Sequence, residues 1–135
     1  MADAPKIIAV DHVGVRVRDA ARARAFYGKL GFRVTYEDTA SPVIILRNPA
    51  GVEVNLVVNA APEPGPNVLM DIAEKHPGFT HVALRVASIE DTVTALAGLD
   101  IVITEGPVAL GPWNTSVFIR DPDGNVIELT EHRAA

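Results

Sequence analysis

The feature that most constrains this chain is an internal repeat. Asp11-His12-Val13-Gly14-Val15-Arg16-Val17 is echoed position by position in Thr80-His81-Val82-Ala83-Leu84-Arg85-Val86. Self-similarity at this spacing means that each half folds as the same supersecondary unit. Both segments alternate as strands do, and each meets a helix N-cap seven residues past its histidine, at Asp19 and at Ser88. After Asp19, Ala23, Phe26, Tyr27 and Leu30 fall at i, i+3, i+4 and i+7, predicting a helix from Ala20 to Leu30 that stops at Gly31. After Ser88, with Asp91 in a capping-box pattern, Ile89, Val93, Leu96 and Ala97 predict a second helix from Ile89 to Gly98.

The halves also end alike. Asn48-Pro49-Ala50-Gly51-Val52-Glu53-Val54-Asn55-Leu56 lines up with Asp121-Pro122-Asp123-Gly124-Asn125-Val126-Ile127-Glu128-Leu129, in each case a turn between strands. Strands at Val43–Arg47 and Thr115–Arg120 precede those turns, and shorter ones are expected near Phe32–Glu37 and Ile101–Thr104. The expected fold class is therefore α+β: two βαβββ modules forming a curved mixed sheet around a barrel-like cavity, helices outside. The modules span residues 7–58 and 79–132 of one domain, 1–135. An Ala/Pro/Gly-rich connector, 59–78, joins them and carries one short helical stretch, Val68 to Lys75.

Composition removes several function classes. At 135 residues and 48% hydrophobic, the chain can bury a core without staples. Zero cysteines exclude disulfides, zinc fingers, iron–sulfur clusters and thiol nucleophiles. A net charge of −5 opposes nucleic-acid binding, and the arginine concentration Arg16, Arg18, Arg22, Arg24 reads as a solvated helix end. No apolar run is long enough to span a bilayer, and Met1-Ala2-Asp3-Ala4-Pro5 has no basic region leading into an apolar stretch. The expectation is a cytoplasmic protein with neither nucleic-acid nor membrane partners.

Alternation assigns the chemistry to one face. Val13, Val15 and Val17 lie under the first helix, leaving His12, Gly14 and Arg16 on the open side; Val82, Leu84 and Val86 leave His81, Ala83 and Arg85 there. Glu128 takes the face opposite Ile127 and Leu129, and the repeat gives Asn55 the corresponding spot. Two imidazoles and a carboxylate suit a divalent first-row metal. Any one of them alone reads as an ordinary hydrogen-bonded polar residue; the matched register is what argues for a site. His76 and His132 lack such a partner and read as surface residues. The pocket lining expected from alternation is Ser116, Phe118 and Arg120 with Val43, Ile45 and Arg47. Trp113 and Asn114 either close over a substrate or pack on the rim. Arg47 or Arg120 either holds a substrate carboxylate or is merely solvated.

The chain resembles the vicinal oxygen chelate superfamily, which includes glyoxalase I, methylmalonyl-CoA epimerase, extradiol dioxygenases, and fosfomycin- and bleomycin-resistance proteins. The carriers, spread over nearly the whole chain, are Asp11-His12-Val13-Gly14, Phe26-Tyr27-Gly28-Lys29-Leu30-Gly31-Phe32, Thr80-His81-Val82-Ala83-Leu84 and Asp121-Pro122-Asp123-Gly124 followed by Ile127-Glu128-Leu129. The resemblance implies metal ligands at His12, His81 and Glu128, and one divalent ion per site (Fe, Mn, Ni, Zn or Co). Asn55 departs from the Glu and Gln that glyoxalases and epimerases carry there. It is neutral and about 1.5 Å shorter in reach, so it is a weak fourth ligand or a group holding a coordinated water. A 2-His-1-carboxylate set leaves a formal +1 charge that favours a small oxygenated, often anionic, substrate.

Three reaction classes follow from the resemblance. Glyoxalase-type isomerase, lyase or epimerase chemistry through a metal-chelated enediolate would use Glu128 as the proton carrier; the missing second carboxylate, and Ile44 near the place of the epimerase acid, count against its best-known forms. An extradiol-type dioxygenase with Fe(II) or Mn(II) suits the open positions, yet Phe118 stands where that group has tyrosine and Ala109 to Pro112 supply no histidine. Antibiotic modification or small-molecule binding is the third class, with Val108 and Pro112 at the phosphonate-contacting positions of fosfomycin enzymes and only Ser116 retained. Members with a single module pair usually dimerise, so a homodimer is expected. The sequence leaves open whether the centre lies within one chain or is shared by two.

Overall fold

Each half of the repeat builds its own four-stranded sheet in the computed structural model, which describes residues 2–133. The first comprises β1 (Val13–Arg16), α1 (Ala20–Lys29), β2 (Arg33–Glu37), β3 (Val43–Arg47) and β4 (Glu53–Val57). The second comprises β5 (His81–Arg85), α2 (Ile89–Gly98), β6 (Glu105–Leu110), β7 (Asn114–Arg120) and β8 (Val126–His132). The sheet orders are β1-β4-β3-β2 and β5-β8-β7-β6, each with one parallel pair and the rest antiparallel. The registers coincide: Val13 faces Val54 and Gly14 faces Asn55, while Val82 faces Ile127 and Ala83 faces Glu128.

Local chemistry sets these boundaries. Asp19 accepts from the Arg22 amide at 2.8 Å and Ser88 from the Asp91 amide at 3.1 Å, filling amide groups that a helix start leaves without partners. In the turns before β4 and β8, Asn48 and Asp121 accept from the amides of Val52 and Asn125, each at 2.9 Å. Gly51 and Gly124 supply the left-handed residue there, at φ 85° and 80°. One hydrophobic core then runs through both modules, including Val17, Leu46 and Leu56 from the first and Leu96, Ile119 and Ile127 from the second. Every residue of β2 is exposed, whereas on the face of β7 and β8 turned from that core Ser116, Glu128 and Thr130 are buried. Among the described residues no helix is long and apolar enough to cross a membrane.

Three expectations are corrected. The strand predicted at Ile101–Thr104 begins instead at Glu105, because Ile101 is drawn into the core and its amide returns to the Leu96 carbonyl. Gly106 then runs so close to β7 that a Cβ on it would lie 2.5 Å from the Ser116 carbonyl oxygen, which reserves the position for glycine. The stretch Val68 to Lys75 forms turns and bends, not a helix. Only one backbone bond of helical spacing, from the Asp71 amide to the Asn67 carbonyl, is made there among the described residues; Asn67 also accepts from the amides of Leu69 and Met70, and Lys75 donates to the carbonyls of Met70 and Ile72, so side chains satisfy much of the backbone. The arginine cluster is not simply solvated: Arg18 and Arg22 both reach Asp123 at 3.0 Å, and Arg24 pairs with Glu37.

The two pairs with Asp123 cross the module junction. Buried Asp121 accepts from the Tyr27 hydroxyl at 2.9 Å, from the Asn125 side chain and from the amides of Asp123 and Asn125. Burial, reinforced by the negative charge of Asp121, pushes the Tyr27 phenol well above its ordinary value. Because the folded state retains this proton, its contribution is full below the unfolded tyrosine value of about 10 and drains away as pH rises beyond it. Tyr27→Phe should therefore cost about 1–2 kcal/mol at pH 7, and the deficit relative to the parent should shrink at pH 10.5–11 in urea unfolding followed by circular dichroism.

Candidate metal centre

On the open face of the second sheet, β5 and β8 bring two of the expected residues into contact. His81 Nε2 lies 3.1 Å from Glu128 Oε1. The other carboxylate oxygen, Oε2, accepts from the Ser116 hydroxyl at 2.8 Å, and Ser116 Oγ is 2.9 Å from Thr130 Oγ1. An ionised carboxylate only accepts and a serine hydroxyl has one proton to give, so Thr130 donates to Ser116 and Ser116 to Glu128. His81 is oriented at its other nitrogen by Thr80 Oγ1, 2.9 Å away, and packs edge-on against Phe118. Strand alternation puts Ser116, Glu128 and Thr130 on one face of the β7–β8 pair, where all three are buried.

The first sheet offers a different arrangement. His12 Nδ1 lies 2.6 Å from Asp11 Oδ1 and 3.8 Å from Glu53 Oε2. Glu53 Oε1 accepts from Arg47 Nε at 2.9 Å and faces Nη2 at 2.7 Å. Asn55, two residues further along β4 and beside Ile45, has a buried Oδ1 with no hydrogen-bond partner among the described residues. Among the described residues, the group of three whose ligand atoms all fall within 4.8 Å of one another is Asp11, His12 and Glu53; His12, His81 and Glu128 do not form such a group within one chain.

Sequence reasoning passed over Asp11 and Glu53. The signal for Glu53 was present, since a residue two before Asn55 in a strand shares its face. Arg47 and Arg120, weighed as anchors for a substrate carboxylate, are occupied. Arg47 holds Glu53, and Arg120 grips the connector through Asp71 with contacts of 2.8 and 2.9 Å, which hold the Asp71 carboxyl below its usual range. Ser116 is wholly buried and its proton is committed to Glu128. Ile45 and Phe118 are half-buried, Trp113 is exposed, and Asn114 pairs with His132 at the far end of β7. His132 contacts Arg85. A hollow of ≈ 540 Å³ is lined by His81, Phe118, Arg120 and Thr104, among others; one of ≈ 430 Å³ includes His12 and Glu53.

The donors present suit a divalent ion. Each face carries an imidazole beside a carboxylate, both donor types that first-row metals accept. The unpartnered Asn55 oxygen is a further donor without a proton to accept. A buried acceptor in that state is costly unless something completes it. Glu128, in turn, depends on Ser116. Ser116→Ala should destabilise the fold by about 1–3 kcal/mol. Combined with Thr130→Val it should show clear non-additivity in a double-mutant cycle read by denaturant unfolding.

Comparison with known proteins agrees with this architecture. The sequence profile of the Glyoxalase/Bleomycin resistance protein/Dioxygenase superfamily matches residues 9–129. Among solved structures, a glyoxalase/dioxygenase from Nostoc punctiforme is 22% identical with a TM-score of 0.71, covering 98% of this chain and 100% of its own. A glyoxalase family protein from Enterococcus faecalis is 24% identical at TM-score 0.75, covering 91% and 97%. The virulence protein STM3117 from Salmonella typhimurium is 26% identical at TM-score 0.70, covering 95% and 99%. A search of curated proteins finds no match to this chain.

Proposed function

The chain belongs to the Glyoxalase/Bleomycin resistance protein/Dioxygenase superfamily, and from that premise we propose that it is a metal-dependent enzyme acting on a small oxygenated substrate by isomerase, lyase or epimerase chemistry. The observation that carries this reading is the His81–Glu128 pair, a nitrogen and a carboxylate oxygen 3.1 Å apart on an open sheet face beside a hollow of ≈ 540 Å³. His81 and Glu128 would hold a divalent ion with His12, and Asn55 is a weaker donor. When bound, such an ion supplies Lewis-acid polarisation of a substrate oxygen.

Glu128 does the proton work in this scheme. Its Oε2 is tied to Ser116, so Oε1 would come off the ion as substrate binds before it accepts a proton from the carbon next to the substrate carbonyl and returns it. Phe118 beside His81 gives the hollow an apolar wall that limits water. The protein works as a homodimer. Support comes from the separation of the two half-sites on two sheets and from the uncovered apolar side chains Ile7, Ile8, Val10 and Phe79, all at least 84% exposed. A second protomer related by a two-fold axis would cover such surface and bring one sheet's open face toward the other's.

Metal analysis of protein purified without chelator or affinity tag should give stoichiometric divalent metal, and His81→Ala should lose it. Turnover should proceed anaerobically with deuterium exchange from solvent at the carbon beside the carbonyl, and Glu128→Gln should abolish that exchange. Strict consumption of O₂ would transfer the case to dioxygenase chemistry.

A further inference from the structure

We propose that Glu53, and not Asn55, is the carboxylate through which the first module takes part in the metal centre. This inference rests on the metal-centre reading above and names a ligand that the repeat register by itself does not. By that register the partner of Glu128 is Asn55, and Glu53 corresponds to Val126. The carboxylate has in effect moved two residues along β4 without leaving the face.

Glu53 reproduces the physical situation of Glu128. Both side chains are about nine-tenths buried, with 11% and 10% of the side chain exposed. Each has one oxygen held by a residue of the neighbouring antiparallel strand: Arg47 of β3 for Glu53, Ser116 of β7 for Glu128. Each turns its other oxygen toward the histidine of its own module, at 3.8 Å from His12 Nδ1 and at 3.1 Å from His81 Nε2. The 3.8 Å gap is too long for a hydrogen bond. It is close to the separation of roughly 3.4 Å expected for two atoms bonded to one tetrahedral ion at about 2.1 Å. Asn55 Oδ1 stands two residues along the strand with no partner among the described residues and adds a neutral oxygen to the same face.

The charge argument points the same way. Two neutral imidazoles with Glu128 alone leave a divalent ion at formal +1, whereas Glu53 adds a second anionic ligand, its charge partly offset by Arg47 on the other oxygen. The second carboxylate, absent at Asn55, is thereby restored, and with it a donor set of two histidines and two glutamates. Asp11 Oδ1, largely exposed, lies 2.6 Å from the same His12 Nδ1, and Asp11, His12 and Glu53 bring their ligand atoms within 4.8 Å of one another, so Asp11 belongs to this donor cluster and is not a group steering the ring from its other nitrogen.

Equilibrium dialysis with Co(II) or Zn(II), together with the visible absorption of the Co(II) form, tests the assignment on the full-length protein. Glu53→Gln should weaken binding by more than the roughly 100-fold that outer partners cost and should alter the Co(II) spectrum. Asn55→Ala should stay within about tenfold of the parent, the low end of that same range. Arg47→Met removes the same ion pair but keeps the carboxylate, and it should retain the metal; equal loss from Arg47→Met and Glu53→Gln would overturn the ligand role in favour of the ion pair. Metal retained by Glu53→Gln and lost by His81→Ala overturns the Glu53 assignment alone. A parent protein that takes up no metal, or a His81→Ala variant that keeps it, overturns the metal-centre reading and this inference together.

Discussion

The molecule turns on the buried carboxylate of Asp121. It closes the turn before β8 by accepting from two backbone amides of its own loop, and it also accepts the hydroxyl of Tyr27 from the helix of the other module. A carboxylate with 4% of its residue surface exposed is tolerable only because these donors replace its water. Next to it Asp123 takes Arg18 and Arg22, and Asn125 donates to the Arg16 carbonyl, so one loop of the second module is bonded to β1 and α1 of the first. That loop, together with the hydrophobic core the two modules share, ties the two sheets to each other.

On the open faces the same economy of donors governs the chemistry. Each module sets an imidazole beside a glutamate and ties one oxygen of that glutamate to a neighbouring strand, which leaves the second oxygen oriented without a long flexible stem. The means differ: a serine–threonine hydroxyl relay in one module, a guanidinium in the other. A neutral relay leaves Glu128 its full negative charge, whereas Arg47 offsets that of Glu53. The two halves of a duplicated unit have thus diverged in electrostatics while keeping their backbone registers.

Much of this was legible in the residues. The helix spans were readable because the caps Asp19 and Ser88 and the 3.6-residue stripes agree with each other, and the strand faces because period-2 alternation leaves no choice once valines must be covered. His81 and Glu128 were readable because a repeat converts two separate positions into one register. Glu53 was harder to see, since the same register drew attention to Asn55 and alternation alone does not say which of two residues on one face a histidine ring will turn to. The strand at Glu105–Leu110 was misplaced by four residues because Ile101 reads equally as strand or as core plug.

By itself, then, the sequence determined the local and periodic properties of this protein: two βαβββ units, which face of each strand is apolar, and which residue types stand on the other. Those are properties of neighbours in the chain, where sterics, capping and alternation act over a few residues. Only the tertiary structure decided the assignments that depend on distant partners. Arg120 turned to Asp71 instead of toward a substrate, Ser116 spent its proton on Glu128, Arg18 and Arg22 paired with Asp123, and His12 settled beside Glu53. Side-chain pairing across such separations is set by which charges and hydrogen-bond donors the packed core happens to bring within about 3 Å, and no pattern confined to one strand or helix contains that distance.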